Sequence, residues 1–345
     1  MPLYLFTTFI SFLIHALLII PFINFLYKIK AQRVDQKTKD AFDKNTPIFD
    51  KFNKHKAGTP VGGGLLIITV TLFLFMFVLF LFVSFGQPIR TNFPSIAGEI
   101  FVLLFTFISF GLLGIYDDLT KIFFWRRNGH FGLRLRHKLV LEIILGLIVG
   151  YLLYAILKID IIHVPFLGVF RIGVFYILFA AFTIISFANA VNITDGLDGL
   201  ATGVLMIALT CFWIIAASII DVPTSLFIAL WLGGLMAFLY FNIPPARIFL
   251  GDSGSLSFGA TFAVVGLILG KAFTLPLIGG IFLIEILSSL IQLLSRRFRH
   301  RKTFAAAPFH LMLQQIGWQE SKIVMRFWLI SILLSVFGLM LAFMK

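Results

Sequence analysis

Stretches of about 20 apolar residues recur along this chain, and each is long enough to cross a ~30 Å hydrocarbon core as a helix. Ten are present, at about 4–26, 61–84, 97–115, 138–157, 171–188, 199–219, 224–241, 256–270, 275–294 and 326–344. Backbone in lipid must satisfy its own hydrogen bonds, so runs of this length fold as helices. Composition points the same way: 60% of the 345 residues are hydrophobic, and only 12% are charged. Soluble domains carry about 25% charged residues, so soluble, disordered and fibrous classes are excluded. The expected fold is an all-α polytopic membrane protein, one integral-membrane domain over 1–345. The run at 256–270 is short, and 275–294 carries Glu285, Ser288, Ser289 and Gln292. The first run is too long for a signal-peptide core and reads as a retained span. The single cysteine, Cys211, lies inside an apolar run and leaves the redox compartment unspecified.

The net charge is +13, from 28 Lys and Arg against 15 Asp and Glu. Placing both termini outside puts loops 27–60, 116–137, 189–198, 242–255 and 295–325 inside. With Lys138 and Arg326 at their edges, these hold 23 of the 28 basic residues. Outside are only Arg90, Lys158, Arg171, Lys271 and Lys345. Basic loops mark the cytoplasmic side, so the charge is an orientation signal and nucleic-acid binding is not needed to explain it. Asp117, Asp118, Asp195, Asp198 and Asp252 fall at span ends on that same side. The pattern predicts a cytoplasm-facing site for an anion and a divalent metal.

Four constellations carry the chemistry. Asp117-Asp118 leaves the third span, with Lys121 one helical turn beyond. Adjacent carboxylates repel unless a cation is near, so the pair suits magnesium or a general base; the plainer reading is a polar span end. Between spans five and six, Asn189, Asn192, Asp195 and Asp198 recur every third residue, with Gly196 and Gly199 letting backbone approach a ligand. A plain loop does not need that density of oxygen ligands, although Asp198 could simply cap span six. The run Phe249-Leu250-Gly251-Asp252-Ser253-Gly254-Ser255 opens the eighth span. A helix N-terminus beside a carboxylate suits phosphate plus magnesium, and an ordinary N-cap is the alternative. Last, a basic tract from Arg296 to Lys302 precedes Pro308-Phe309-His310 and Gly317-Trp318. Taken singly, these arginines, His310, Lys56 and Lys138 read as interfacial anchors. Together on one face, carboxylates, amides, lysines and a helix start are what phosphoryl transfer requires, and a membrane site adds a lipid-borne reactant.

In order along the chain, these motifs resemble the polyprenyl-phosphate N-acetylhexosamine-1-phosphate transferase superfamily, most of all its phospho-N-acetylmuramoyl-pentapeptide transferase branch. The resemblance runs from about Lys56 to Trp328. It takes in Lys56-Ala57-Gly58-Thr59-Pro60, Asp117-Asp118, Asn189 to Ala201, Phe249 to Asp252 and Glu285-x-x-Ser288-x-x-x-Gln292. It closes with Ala307-Pro308-x-His310, Gly317-Trp318, Glu320 and Arg326-Phe327-Trp328. The resemblance implies attack by a polyprenyl phosphate on the β-phosphate of a UDP-N-acetylmuramoyl-pentapeptide, with magnesium required and UMP released. It implies Asp252 as principal magnesium ligand with Asn192 as a second, Asp117 deprotonating or orienting the lipid phosphate beside Asp118, and Asp195 in the catalytic centre. Lys56, Lys121 and Lys138 would hold phosphates. Leu197, Asp198 and Phe249 would form the uridine pocket, and Gln292 and His310 would line the sugar side. Thr59, Asn189, Asn242, Gly251 and Ser255 complete the substrate-binding set. The family also implies a homodimer in the bacterial inner membrane, with the site facing the cytoplasm.

Two departures stand out. The family's three consecutive histidines read His310-Leu311-Met312, and its Thr-Pro-Thr-Met-Gly-Gly reads Thr59-Pro60-Val61-Gly62-Gly63-Gly64. They bear on sugar and peptide specificity more than on reaction type. The rivals are the same chemistry on UDP-N-acetylglucosamine or another UDP-N-acetylhexosamine and, in a different class, a membrane transporter. Transport is disfavoured because the acids cluster at one face and no internal repeat is evident.

Overall fold

The computed structural model describes residues 2–32, 50, 52–124, 133 and 135–344. Several basic residues of the predicted inside loops, among them Arg33, Lys37, Lys39, Lys44, Arg126 and Arg127, lie outside the described residues, as does Lys345. The described chain is helical apart from one hairpin. Its helices are α1 (Pro2–Lys28), α2 (Gly63–Ser84), α3 (Ile96–Leu119), α4 (Leu135–Ala155), α5 (Tyr176–Thr194) and α6 (Leu200–Ser218). They continue with α7 (Val222–Asn242), α8 (Gly251–Ile268), the short α9 (Leu275–Ile278), α10 (Gly280–Phe298), α11 (Phe309–Gln315) and α12 (Glu320–Phe343). The hairpin joins β1 (Ile161–Val164) to β2 (Gly168–Arg171) in antiparallel register.

Each of the ten predicted spans is helical over most of its length, so the all-α polytopic membrane fold is present. Eight helices are long and apolar enough to cross a membrane. The other two are the spans flagged as short or polar, and burial explains both. Every residue of α8 is buried, because α3, α5 and α2 pack around it; a helix shielded by protein does not need a lipid-compatible surface. In α10, Glu285, Ser288, Gln292 and Ser295 form the buried stripe, while Ile284, Leu287, Ile291 and Leu294 on the other side are exposed. The helix is amphipathic in the inverted sense expected at a membrane site, polar inward and apolar outward.

Several predicted boundaries move. Span five starts at Tyr176 rather than 171, because Arg171 belongs to the hairpin, and it runs on through Thr194. Asn189 and Asn192 therefore lie on the last turns of a helix instead of in a loop. Span eight begins at Gly251, which puts Asp252 in its first turn. Gly279 divides the predicted 275–294 into α9 and α10. The final helix starts at Glu320, six residues earlier than 326.

An aromatic cluster sits where α3, α7 and α8 meet. Phe107, Phe227, Trp231 and Phe258 pack with ring centroids 5.2–5.8 Å apart, mostly edge to face, a favoured geometry for aromatic pairs. Nearer the site, α3 and α8 touch through Gly114. A Cβ there would lie 2.1 Å from the Asp252 carbonyl oxygen, so only glycine allows the two carboxylate-bearing helix ends this close.

Candidate active site

The C-terminal end of α3, the N-terminal ends of α4, α8 and α12, and the turn after α5 converge at one end of the bundle. Four charged side chains form the centre. Lys121 Nζ lies 3.0 Å from Asp117 Oδ2 and 2.7 Å from Asp252 Oδ2. Lys138 Nζ lies 3.2 Å and 2.8 Å from the same two oxygens. Two ammonium groups thus bridge two carboxylates from different helices and offset their like charges. Asp117 Oδ1 also accepts the Leu133 N–H at 2.8 Å.

Asp118 faces the other way. Its carboxylate accepts the backbone N–H groups of Asp252 at 3.1 Å and Ser253 at 3.0 Å, so it caps α8 from a neighbouring helix and complements the positive helix end. This contact needs the preceding turn to bend sharply: Gly251 has φ +80, and a Cβ there would sit 2.6 Å from Asp118 Oδ2. Asp118 therefore positions Asp252. Asn192 Nδ2 donates to Ser255 Oγ at 2.7 Å. Ser255 is three residues beyond Asp252, on the same face of α8, so Asn192 approaches the face that bears the metal-type carboxylate.

Beside this centre lies a second ion-paired group. Lys56 Nζ contacts Asp198 Oδ1 at 2.8 Å and Glu320 Oε1 at 2.6 Å. Glu320 also accepts the Asp198 N–H at 2.7 Å, and Asp198 Oδ2 accepts that of Ala246 at 3.0 Å. Asn242 ties the turn down by accepting from Gly199 N at 3.1 Å and donating to Ile248 O at 3.0 Å. The Phe249 backbone pairs with Pro60, Gly62 and Gly63, leaving its ring half-buried. Leu197 is buried, while Asp195 is half-buried at the C-terminal end of α5. Thr59 is half-buried close by, its N–H donating to Lys56 O at 3.3 Å.

A third group involves His310. Its Nδ1 lies 3.0 Å from Glu285 Oε2, and its N–H donates to Glu285 Oε1 at 3.1 Å. The ring lies against Gly196, where a Cβ would come within 2.6 Å of Nε2. The histidine thus meets the Asn189–Asp198 motif directly. Gln292 has a different set of partners: it donates to Phe304 O at 3.0 Å and accepts from Thr303 N and Phe304 N at 3.0 and 2.9 Å. Its amide clamps the loop ahead of α11.

Sequence reasoning left two site acids unassigned. Glu320 appeared only as a motif letter, yet it is one of two counter-charges of Lys56. Glu142 was not singled out at all; it is fully buried in α4 and accepts Asn189 Nδ2 at 2.5 Å. Its signal was available: an acid inside a span, one turn beyond a basic motif residue.

Among the described residues no three His, Cys, Asp or Glu side chains gather as a closed metal cage. Asp117 and Asp252 instead offer two buried carboxylates held by lysines, with the Asn192 amide against Ser255 one turn further along α8. That donor set suits magnesium, which keeps waters and takes phosphate oxygens alongside one or two carboxylates.

The family model described as glycosyl transferase family 4 matches residues 100–270. The phospho-N-acetylmuramoyl-pentapeptide-transferase of Clostridium perfringens (strain 13 / Type A) is 37% identical over 283 residues, covering 82% of this chain and 84% of that one. The protein of the same name from Rickettsia akari (strain Hartford) is 35% identical over 304 residues, covering 82% and 80%. That of Caldanaerobacter subterraneus subsp. tengcongensis is 34% identical over 283 residues, covering 82% and 84%.

Proposed function

Since the chain belongs to the phospho-N-acetylmuramoyl-pentapeptide-transferase family, we propose that it transfers phospho-N-acetylmuramoyl-pentapeptide from a UDP-linked donor to undecaprenyl phosphate. The products are UMP and lipid I, the first lipid-linked peptidoglycan precursor. The carrying observation is the bridge of Lys121 and Lys138 across Asp117 and Asp252. It gathers phosphate-binding cations and metal-type carboxylates at the end of a membrane bundle, where a lipid phosphate and a water-soluble nucleotide can meet.

In this scheme a lipid phosphate oxygen attacks the donor's β-phosphorus, and the bond to the UMP oxygen breaks. Asp117 accepts or orients the proton of the attacking phosphate. Lys121 and Lys138 turn from the carboxylates to the phosphate oxygens as charge develops there. Asp118 keeps Asp252 in place through the α8 cap, and Asp195 borders the reacting groups. Lys56, Asp198, Leu197 and Phe249 form the uridine side, framed by Thr59, Asn242 and Gly251. His310, held by Glu285, faces the sugar, with Gln292 fixing the loop beside it. Asn189 and Ser255 are substrate contacts on the α5 and α8 faces.

Magnesium belongs to the proposal, with Asp252 as principal ligand and Asn192 as second. When bound it would neutralise phosphate charge and hold the donor in line. The site faces the cytoplasm of a bacterial inner membrane, a placement supported by the 23 basic residues assigned to that side. A homodimer is proposed on the family resemblance alone.

The test is a donor screen with purified protein, undecaprenyl phosphate and UMP release as readout, with and without magnesium. Release with the muramoyl-pentapeptide donor, lost on chelation, is the expected result. Turnover confined to UDP-N-acetylglucosamine would replace the donor assignment, and uptake into proteoliposomes without UMP release would replace the reaction.

A further inference from the structure

Glu142 has no part in the scheme above. It lies four residues after Lys138, on the same face of α4, and its exposure is 0%. Oε2 accepts Asn189 Nδ2 at 2.5 Å, whereas Oε1 is buried without a hydrogen-bond partner. A buried carboxylate with an unsatisfied oxygen is less favourable than a well-packed apolar side chain in its place. The following buried positions of α4 are Gly146, Val149, Gly150 and Leu153, small or apolar residues at which α4 lies close to α5. Helix packing alone would be served by another residue of that kind.

The reason to have an acid there lies in the asparagine. Asn189 Nδ2 donates to Glu142 and also to Ile185 O at 3.0 Å. Both amide hydrogens are therefore engaged, and the amide cannot flip without losing two bonds. The group left over is Oδ1, which can only accept. Asn189 is half-buried and three residues before Asn192, whose amide reaches Ser255 on α8, so the Asn189 side chain lies on the stretch of α5 that borders the site.

We propose that Glu142 is a positioning residue for the transfer, fixing the Asn189 amide so that Oδ1 is presented to hydrogen-bond donors of the bound substrates. This rests on the reading of Asn189 as a substrate contact. Leucine at 142 releases the amide, whereas glutamine still offers an acceptor oxygen to Nδ2.

The test uses full-length protein and UMP release, with melting temperature and elution profile as folding controls. Asn189→Ala should lower kcat/KM about tenfold, on the scale of one lost polar contact. Glu142→Leu should match it, Glu142→Gln should stay within about threefold of the parent, and Glu142→Leu/Asn189→Ala should be no slower than Asn189→Ala. Because Glu142→Leu could compromise folding, a volume-neutral exchange is included. Asn189→Asp alone sets two acids against each other and should fall at least about tenfold. Glu142→Gln/Asn189→Asp restores the bond between the two side chains but leaves an aspartate oxygen against Ile185 O, so it should run faster than Asn189→Asp without reaching the parent rate. Full activity in Asn189→Ala would remove the substrate contact and this inference with it. Loss in Asn189→Ala, combined with effects that multiply in the double variant or an exchange no better than Asn189→Asp, would overturn the role of Glu142 alone.

Discussion

The two ends of the bundle hold buried acids in opposite ways. At the site end, Asp117 and Asp252 are bridged by Lys121 and Lys138, and Asp198 and Glu320 share Lys56. At the far end, Glu99 at the start of α3 accepts hydroxyl hydrogens from Thr224 at 2.6 Å and Thr91 at 2.5 Å. Asp221 there caps α7 by accepting the Thr224 N–H at 3.0 Å. Among the described residues no lysine or arginine pairs with either far-end acid. A lysine pairing can be exchanged for a metal or a phosphate without stranding either partner, since the incoming charges replace the outgoing ones. A cap and two hydroxyl bonds can only be kept or lost. At the site end the lysine-paired acids can therefore exchange partners with a ligand, while the hydrogen-bonded Asp118 and Glu142 act only by holding Asp252 and Asn189 in place.

That contrast can be broken most directly at Asp252. Asp252→Asn keeps the side-chain volume and should reduce UMP release by about 10³-fold, the scale on which losing an electrostatic stabiliser slows group transfer. A rate within tenfold of the parent would end the assignment of Asp252. Lys138→Met should cost about 10²-fold in rate and, by leaving Lys121 alone to offset both Asp117 and Asp252, about 3 kcal/mol of stability. Thermal unfolding beside initial rates checks both. Glu99→Gln, the matching change at the far end, should stay within about twofold of the parent rate. Lys56→Ala should act mainly on donor affinity, raising KM about tenfold with a smaller change in kcat. Equal losses in kcat and kcat/KM would instead place Lys56 at the reacting phosphates.

The same contrast marks what the sequence could convey. Apolar runs made ten helices legible, because length and hydropathy act locally. The pairing of acids with lysines was legible only as co-location on one face. Lys121 and Asp252 are 131 positions apart and meet because Gly114 lets the end of α3 close on α8. Asp118 looked like the twin of Asp117, yet adjacent helix residues point about 100° apart, so one faces the lysines while the other caps α8. Gln292 and His310 both lay near a predicted sugar side, but Gln292 is engaged by the backbone of a loop whose path no periodicity encodes. The hairpin at 161–171 was missed because it lies between two strong spans and carries only four residues per strand.

The smallest expected effect is at Asp221, and it tests whether the far end is purely structural. Burial pushes its carboxyl above the usual carboxylate range, a shift opposed by its bonds to Glu99 and Thr224. A group whose pKa rises on folding binds its proton more tightly in the native state. Its contribution is therefore complete below the ordinary aspartate pKa and is lost as pH rises through the higher folded value. Asp221→Asn retains an N-cap acceptor and removes one carboxyl of the interacting Asp221–Glu99 pair. Melting temperature should then fall less steeply over that rising-pH window than in the parent, while the rate of UMP release stays the same. An unchanged pH slope would show that Asp221 keeps its ordinary pKa. A lost activity would show that the two ends are coupled, and the division between exchangeable and fixed acids would not hold.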